Sequence, residues 1–300
     1  MTQLAIRILF GCLLLLIASC GNLSGMKETT DIKGEKSPVR VERDGLNIEY
    51  HEAGQGDTSL LFVHGWGINK EYWNNQVSYF SDRYRVVVPD LPGFGKSGKL
   101  RSEWTVEQYG DDITALIQSL GLHNVLLVGH SMSGAIVLDA AIKNPDQVIG
   151  IVGVDNFKNL GAVPTEAEKA QSREYFSSMR SNYTSFVKEM AGNYLFSVNT
   201  DSMVKLRVIT DIAGSDSVIA VISLERNEEY PLARKLKEYG KPLYLINSDY
   251  FPTDTLALKK LKLPYKLYSV GTTGHYPMIE AAERFNHALD SVLTSRQAAE

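Results

Sequence analysis

The chain has 300 residues, of which 44% are hydrophobic and 22% are charged. This balance is typical of a folded globular protein and excludes a disordered, collagenous or coiled-coil chain. The formal net charge is −4, and no long run of lysine and arginine occurs, so we expect no nucleic-acid binding. The length suits two domains, or one large α/β domain that carries an insertion.

Both cysteines lie within the first twenty residues. Arg7 precedes an apolar stretch over residues 8–17, which is the pattern of an export signal and is short for a membrane span. The segment Leu16-Ile17-Ala18-Ser19-Cys20 resembles the lipobox of bacterial lipoproteins. We therefore predict a lipoprotein signal peptide over residues 1–19 and lipidation of Cys20. The protein would then be exported and anchored to a bacterial cell membrane; an ordinary secretory signal is the alternative.

The sequence predicts neither a metal site nor a bound cofactor. No cysteine follows Cys20, and the six histidines lack H-x-H and H-E-x-x-H spacing. The segment Gly93-Phe-Gly95-Lys-Ser-Gly98 matches a dinucleotide-binding pattern by spacing, but no strand ending in an acid follows it at the required distance. The same segment lacks the first glycine of a phosphate-binding loop, because Asp90 occupies that position.

The order of predicted elements indicates an α/β fold. A polar tether is predicted over residues 20–37, and strand patterns alternate with helical ones from Pro38 onward. This alternation predicts a mostly parallel central sheet flanked by helices, formed by residues 38–156 and 231–300. Residues 157–230 are helical in pattern and predict an inserted cap. Its apolar stripe is more typical of packing than of a ligand surface: Tyr175, Phe176, Met179, Tyr183, Phe186 and Met190.

The strongest chemical motif is Gly129-His130-Ser131-Met132-Ser133, where a buried strand runs directly into a helix. This is the pattern of a nucleophile elbow, G-x-S-x-G, with Ser131 as the nucleophile and Ser133 in place of the second glycine. Because serine is small, we interpret Ser133 as a tolerated replacement. The helix start also places Ser131 near free backbone N–H groups, which favour a developing oxyanion.

The general base is predicted to be His275, which lies in a glycine-containing loop after the last strand. The chain order of nucleophile, acid and histidine is then the order typical of enzymes with a G-x-S-x-G elbow. We predict that Asp249, which follows the predicted strand at residues 242–247, is the acid that orients His275. Asp155, after an earlier strand, and Asp254 are the alternatives.

From about Val39 to its end, the chain resembles the α/β-hydrolase superfamily. Its HGWGINKEYW and VVPDLPGFGKSGK segments resemble the branch that contains pimeloyl-acyl-carrier-protein methyl ester carboxylesterase and small-ester hydrolases. The resemblance implies an oxyanion hole formed by the backbone N–H groups of Trp66 and Met132. In this interpretation His64 supports the loop through hydrogen bonds and is not the base.

The resemblance implies a serine hydrolase that cleaves a carboxylic ester or related acyl bond of a small molecule through an acyl-enzyme, without a cofactor. An exported lipoprotein would not meet a cytosolic carrier protein, so the carrier-bound substrate is not carried over. A carbon–carbon bond hydrolase and an acyltransferase are alternatives, because both use the same triad. A non-catalytic binding lipoprotein is the alternative from another class.

Overall fold

The computed structural model describes residues 39–158, 160 and 165–297. The predicted signal peptide (1–19), Cys20 and the predicted tether (20–37) lie outside these residues. Within the described part of the chain, no helix is both long and apolar enough to cross a membrane.

A single eight-stranded sheet forms the centre of the described domain. Its strands are β1 (Val39–Arg43), β2 (Leu46–Ala53), β3 (Ser59–Val63), β4 (Arg85–Pro89), β5 (Val125–His130), β6 (Val148–Val154), β7 (Leu243–Asn247) and β8 (Tyr265–Ser269). They are arranged in the order β1-β2-β4-β3-β5-β6-β7-β8. β2 pairs antiparallel with β1 and β4, and all other neighbours pair in parallel.

The local sequence explains these strands. β3 and β5 are continuous buried runs, as expected where helices cover both faces of a parallel sheet. β1 and β2 are joined by Asp44 and Gly45, which both have positive φ, at 53° and 76°. Two successive positive φ angles suit a tight hairpin turn, for which Asp-Gly is a favoured pair.

Helices flank the sheet and connect its strands, which confirms the predicted α/β class. They are α1 (Asn74–Phe80), α2 (Val106–Ser119), α3 (Ser133–Lys143), α4 (Glu166–Ser181), α5 (Tyr183–Tyr194), α6 (Ser202–Gly214), α7 (Ser217–Glu229), α8 (Leu232–Tyr239), α9 (Thr255–Lys260), α10 (Pro277–Glu280) and α11 (Ala282–Gln297). A short 3-10 helix, Lys70–Trp73, precedes α1. α3 has a buried face along almost its whole length and ends at Lys143, and its C-cap residue Asn144 stands directly before a proline.

Four helices, α4 to α7, lie between β6 and α8 and are called the cap helices here. Their first begins with a capping box, in which Thr165 and Glu168 exchange hydrogen bonds. Of the apolar stripe predicted in this region, Phe176, Met179 and Tyr183 are buried and the remaining three side chains are partly buried against the core. The stripe therefore serves packing.

The register of the parallel strands brings the candidate chemical groups to one edge of the sheet. Gly129 of β5 pairs with Val63 of β3, and His130 pairs with Val154 of β6. Because these strands end at the same level, the residues that follow them lie side by side. This edge, at the carboxyl ends of the strands, is where open α/β sheets bind ligands.

Candidate active site

Ser131 lies in a strained turn between β5 and α3. Its φ is 52°, in the left-handed region that few non-glycine residues adopt. The turn is fixed by two backbone hydrogen bonds, from Ser131 N–H to the Val154 carbonyl at 2.9 Å and from Gly134 N–H to the Ser131 carbonyl at 3.0 Å. A Cβ at Gly129 would lie 2.4 Å from the Ser133 carbonyl oxygen, so that position requires glycine. These are the features of a nucleophile elbow.

Ser133 has a specific hydrogen-bond partner in the structure. Its side chain is completely buried, and its hydroxyl donates to the backbone carbonyl of His64. This bond joins the start of α3 to the loop that follows β3. The serine in place of the second motif glycine therefore does more than fit the available space.

His275 forms hydrogen bonds on both sides of its ring. The Ser131 hydroxyl lies 2.8 Å from Nε2, and the Asp155 Oδ2 atom lies 2.6 Å from Nδ1. With Nδ1 protonated, the ring donates to Asp155 and accepts from the Ser131 hydroxyl. The side chain of Asp155 is 5% exposed and that of His275 is 21% exposed. The structure thus brings serine, histidine and aspartate into one chain of hydrogen bonds.

The acid in this chain is Asp155, and the prediction of Asp249 is wrong. The Asp249 carboxylate accepts a hydrogen bond from the hydroxyl of Ser269. Asp254 caps α9 by accepting from the N–H groups of Leu256 and Ala257. The reason is the strand order, because β6 is adjacent to β5 whereas β7 lies one strand further away.

The register also shows how this acid could have been found. His130 pairs with Val154, so the residues that directly follow them, Ser131 and Asp155, emerge at the same level of neighbouring strands. Asp249 comes two residues after β7 ends. The sequence shows an acid directly after a buried strand, but only the strand order of the sheet shows that this strand neighbours the one that carries Ser131.

The Asp155 carboxylate is held by donors on both oxygens. Oδ1 accepts from the Ser248 N–H at 2.9 Å and lies 2.6 Å from the Lys158 ammonium, while Oδ2 faces His275. Burial raises the pKa of Asp155, but the hydrogen bond from His275 and the positive charges of His275 and Lys158 outweigh it, so the pKa lies below its ordinary value. The carboxylate therefore stays ionised at neutral pH. No sequence motif marks Lys158 or Ser248, and Ser248 is brought to the site from a distant segment of the chain.

The loop after β3 lies directly against the elbow. A Cβ at Gly65 would come within 2.5 Å of His130 Nδ1 and 3.2 Å of Ser131 Cβ. The next residue, Trp66, is anchored to the cap helices, because its indole N–H donates to the Ala220 carbonyl at 2.6 Å. Among the described residues, no protein group accepts a hydrogen bond from the backbone N–H of Trp66 or of Met132.

His64 supports this loop through both ring nitrogens. Nε2 accepts from the Leu91 N–H at 2.9 Å, which requires that Nδ1 carry the proton and donate to the Gly65 carbonyl at 2.8 Å. Complete burial lowers the pKa of His64, so the ring stays neutral. Both ring nitrogens are engaged by backbone groups and neither bonds to Ser131, in agreement with the expectation that His64 supports the loop.

His130 links the nucleophile strand to the loop of His275. Its Nε2 lies 2.8 Å from the His275 carbonyl oxygen and therefore donates to it, and the two rings pack at 4.8 Å between centroids. Burial, together with the charge of His275, lowers the pKa of His130 to about 3. His130 is thus a neutral structural support at physiological pH.

The His275 loop is also fixed from the cap side. The His275 N–H donates to the Leu195 carbonyl at 2.8 Å. Glu280 accepts from the N–H groups of Gly274 and Tyr276, at 2.9 and 3.1 Å, and from the hydroxyl of Thr200 at 2.6 Å. The histidine is therefore held by both the core and the segment between α5 and α6.

A cleft of about 470 Å³ opens onto the pair formed by His275 and Asp155. Its remaining lining consists of Lys158, Tyr194, Leu195, Phe251 and Pro252. The Tyr194 and Phe251 side chains are exposed at this cleft. Such a wall offers apolar contact to a ligand beside His275 and Asp155. Across the described residues, no cluster of three potential ligands has the arrangement of a metal site.

Comparison with known proteins identifies the family. Residues 58–282 match the family model described as the α/β hydrolase fold. The 2-hydroxy-6-oxononadienedioate/2-hydroxy-6-oxononatrienedioate hydrolase of Burkholderia vietnamiensis is 27% identical over 83% of this chain and 92% of its own length. The strigolactone esterase D14 of Arabidopsis thaliana is 31% identical over 49% of this chain, and the chain spans just over half, 57%, of that relative.

The solved structures agree with the fold. An esterase from Exiguobacterium antarcticum superposes with a TM-score of 0.75 at 19% identity, over 86% of this chain and all of that one. A mostly parallel open sheet with a strand–serine–helix elbow at its carboxyl edge is the architecture of an α/β hydrolase. The chain belongs to the α/β-hydrolase family.

Proposed function

We propose that the protein is a serine hydrolase that cleaves a carboxylic ester or a related acyl bond through an acyl-enzyme on Ser131. The observation that carries this proposal is the hydrogen-bond chain from Ser131 Oγ to His275 Nε2 at 2.8 Å and from His275 Nδ1 to Asp155 Oδ2 at 2.6 Å. A partly exposed nucleophile with its base and orienting acid in contact is what acyl transfer requires.

The reaction follows from this geometry. Ser131 Oγ attacks the acyl carbon while His275 Nε2 takes its proton, and Asp155 stabilises the resulting imidazolium without becoming protonated. The negative charge that develops on the carbonyl oxygen is stabilised by the backbone N–H groups of Trp66 and Met132. His275 then protonates the leaving alcohol, and a water molecule activated by the same histidine hydrolyses the acyl-enzyme.

Hydrolysis of p-nitrophenyl esters of graded acyl length tests this function. We expect the wild type to hydrolyse these esters. Ser131→Ala should lower turnover by several orders of magnitude, because only binding and oxyanion stabilisation would remain, and should change the thermal unfolding midpoint little. Turnover by the alanine variant above a tenth of the wild-type value would contradict the assignment of Ser131. A well-folded wild type that hydrolyses none of these esters would contradict the ester specificity.

Carbon–carbon bond hydrolysis is the second candidate, and the similarity to the Burkholderia hydrolase over 83% of this chain favours it. The same serine, histidine and aspartate would serve, but the leaving group would be a carbon acid. A 2-hydroxy-6-oxo-dienoate tested beside the ester series separates the two activities by their relative kcat/KM. Acyl transfer to an added alcohol tests the acyltransferase alternative. The hydrogen-bonded triad argues against a non-catalytic binding lipoprotein.

We further propose that the protein is exported, cleaved after residue 19 and lipid-anchored through Cys20 to a bacterial cell membrane. The support is the lipobox-like sequence Leu16-Ile17-Ala18-Ser19-Cys20 after an apolar stretch. Cys20→Ala is expected to abolish incorporation of a fatty-acid analogue and to leave an unprocessed precursor. Equal labelling of both forms would contradict the anchor.

A further inference from the structure

Lys158 contacts the carboxylate of the triad acid directly. Its ammonium lies 2.6 Å from Asp155 Oδ1 and donates to the Ser248 carbonyl at 3.1 Å. The lysine side chain is 13% exposed and lines the cleft beside His275. A mostly buried ammonium on the second carboxylate oxygen is not needed to form the chain from Ser131 to Asp155, so its role requires a separate explanation.

The backbone around Lys158 fixes this contact. The Lys158 carbonyl accepts from the Asp254 N–H at 2.8 Å, which joins the segment after β6 to the segment after β7. Ser248, in the segment after β7, donates its N–H to Asp155 Oδ1, which is the oxygen that Lys158 also contacts. Asp155 itself has a φ of 48°, so its carboxylate is directed from a strained backbone position. Lys158 thus closes a set of donors that determine how this carboxylate is oriented.

We propose that Lys158 is a positioning residue that orients the Asp155 carboxylate toward His275 and, through its charge, lowers the pH at which His275 takes up a proton. The inference rests on the proposed roles of Asp155 and His275. Orientation follows from charge-assisted hydrogen bonding to a single oxygen, which leaves the other oxygen for the imidazole. The charge effect follows because Lys158 offsets part of the negative charge that stabilises the imidazolium.

The other groups around His275 allow the effect of Lys158 to be isolated. Asp155 is its anionic partner, and the neighbouring ring of His130 is neutral near pH 7 because burial lowers its pKa. On its own loop, Glu280 accepts from the backbone N–H groups on either side of His275. Tyr276, whose ring packs against His275, is uncharged because burial raises its pKa. Lys158 bonds to Asp155 and Ser248 and not to His130, Glu280 or Tyr276, so its replacement acts on His275 through Asp155 and leaves those three groups as they are.

Three variants separate charge from shape. Lys158→Met removes the charge and the hydrogen bonds, Lys158→Gln keeps a polar group without charge, and Lys158→Arg keeps the charge. Lys169→Met is the matched control, because Lys169 forms an exposed ion pair with Glu166 on α4. Protonation of His275 is followed by NMR titration of its imidazole in the substrate-free protein, with the resonance assigned by its absence in His275→Gln.

We expect the midpoint of His275 protonation to move up by about one pH unit in Lys158→Met and Lys158→Gln, as removal of one partly buried charge at close range implies. It should stay near the wild-type value in Lys158→Arg and Lys169→Met. The acidic limb of the kcat/KM profile for esters should move with it. For Lys158→Met, kcat should fall several-fold at its own optimum pH, with little change in KM.

The two readouts distinguish this inference from the proposed function. An unchanged NMR midpoint in folded Lys158→Met and Lys158→Gln would overturn the inference, even if ester hydrolysis by the wild type is confirmed. A shifted midpoint in a protein without ester activity would support the electrostatic role while the proposed function fails. A midpoint that moves equally in Lys169→Met would also overturn it, because the effect would then not depend on contact with Asp155.

Discussion

Replacement of Asp155 by asparagine tests the triad in a way that depends on atomic detail. Asp155 Oδ1 faces two donors, the Ser248 N–H and the Lys158 ammonium. An asparagine side chain would therefore place its carbonyl oxygen at the position of Oδ1, facing these two donors, and direct its NH₂ group at His275 Nδ1. That nitrogen would have to accept, so the neutral imidazole would carry its proton on Nε2 and could no longer accept the proton of Ser131.

The expected loss follows from this wrong tautomer. We expect kcat for a p-nitrophenyl ester at neutral pH to fall by about 10⁴ in Asp155→Asn, which corresponds to about 5.4 kcal/mol of transition-state stabilisation. The side chains are similar in size, so the fold should be retained, as measured by circular dichroism. Asp249→Asn is the matched control and should stay within about twofold of wild type, because Asp249 contacts Ser269 and not His275. A severe loss in Asp249→Asn beside a mild one in Asp155→Asn would refute this reasoning.

Three further predictions concern the groups that support the triad. Ser133→Ala removes the hydroxyl that donates to the His64 carbonyl. The unfolding free energy measured by urea denaturation should fall by about 1–3 kcal/mol, and kcat should fall more than KM rises. An unchanged kcat would contradict a link between Ser133 and the loop that follows β3. Gly65→Ala should lower kcat at least tenfold, because its Cβ would lie 2.5 Å from His130 Nδ1, and wild-type turnover would argue against close contact between this loop and the elbow. The pKa of His130 is lowered by burial to about 3, so the unfolded chain binds this proton first as the pH falls. Wild-type unfolding free energy should therefore drop by about 2 kcal/mol more than that of His130→Gln between pH 7 and pH 5; parallel curves would contradict a neutral buried ring.

Much of the fold follows from local sequence patterns. The runs that form β3 and β5 are apolar on both faces and can only be buried, and Asp44-Gly45 specifies the turn between β1 and β2. Ser131 was predictable because the elbow is a local motif whose strand, turn and helix are contiguous in the chain. The position of His275 was predictable because it follows the last strand and lies after the nucleophile and the acid in the chain.

The acid was not predictable in the same way, because the choice depends on which strands are neighbours. Asp155 and Asp249 both follow buried strands, and only the pairing of β6 with β5 places the first beside Ser131. The same limit applies to Ser133, whose partner His64 lies 69 residues away. Residues that act through distant partners carry no local pattern that would mark them.

The most direct test of the central claim is covalent labelling with a fluorophosphonate, which reacts with serines activated by a neighbouring base. We expect one adduct per protein, located at Ser131 by mass spectrometry of the digested chain. Ser131→Ala should not react, and Asp155→Asn should react far more slowly than Asp249→Asn. An adduct on another residue, or no adduct on a folded wild-type protein, would contradict the assignment of Ser131 as the nucleophile.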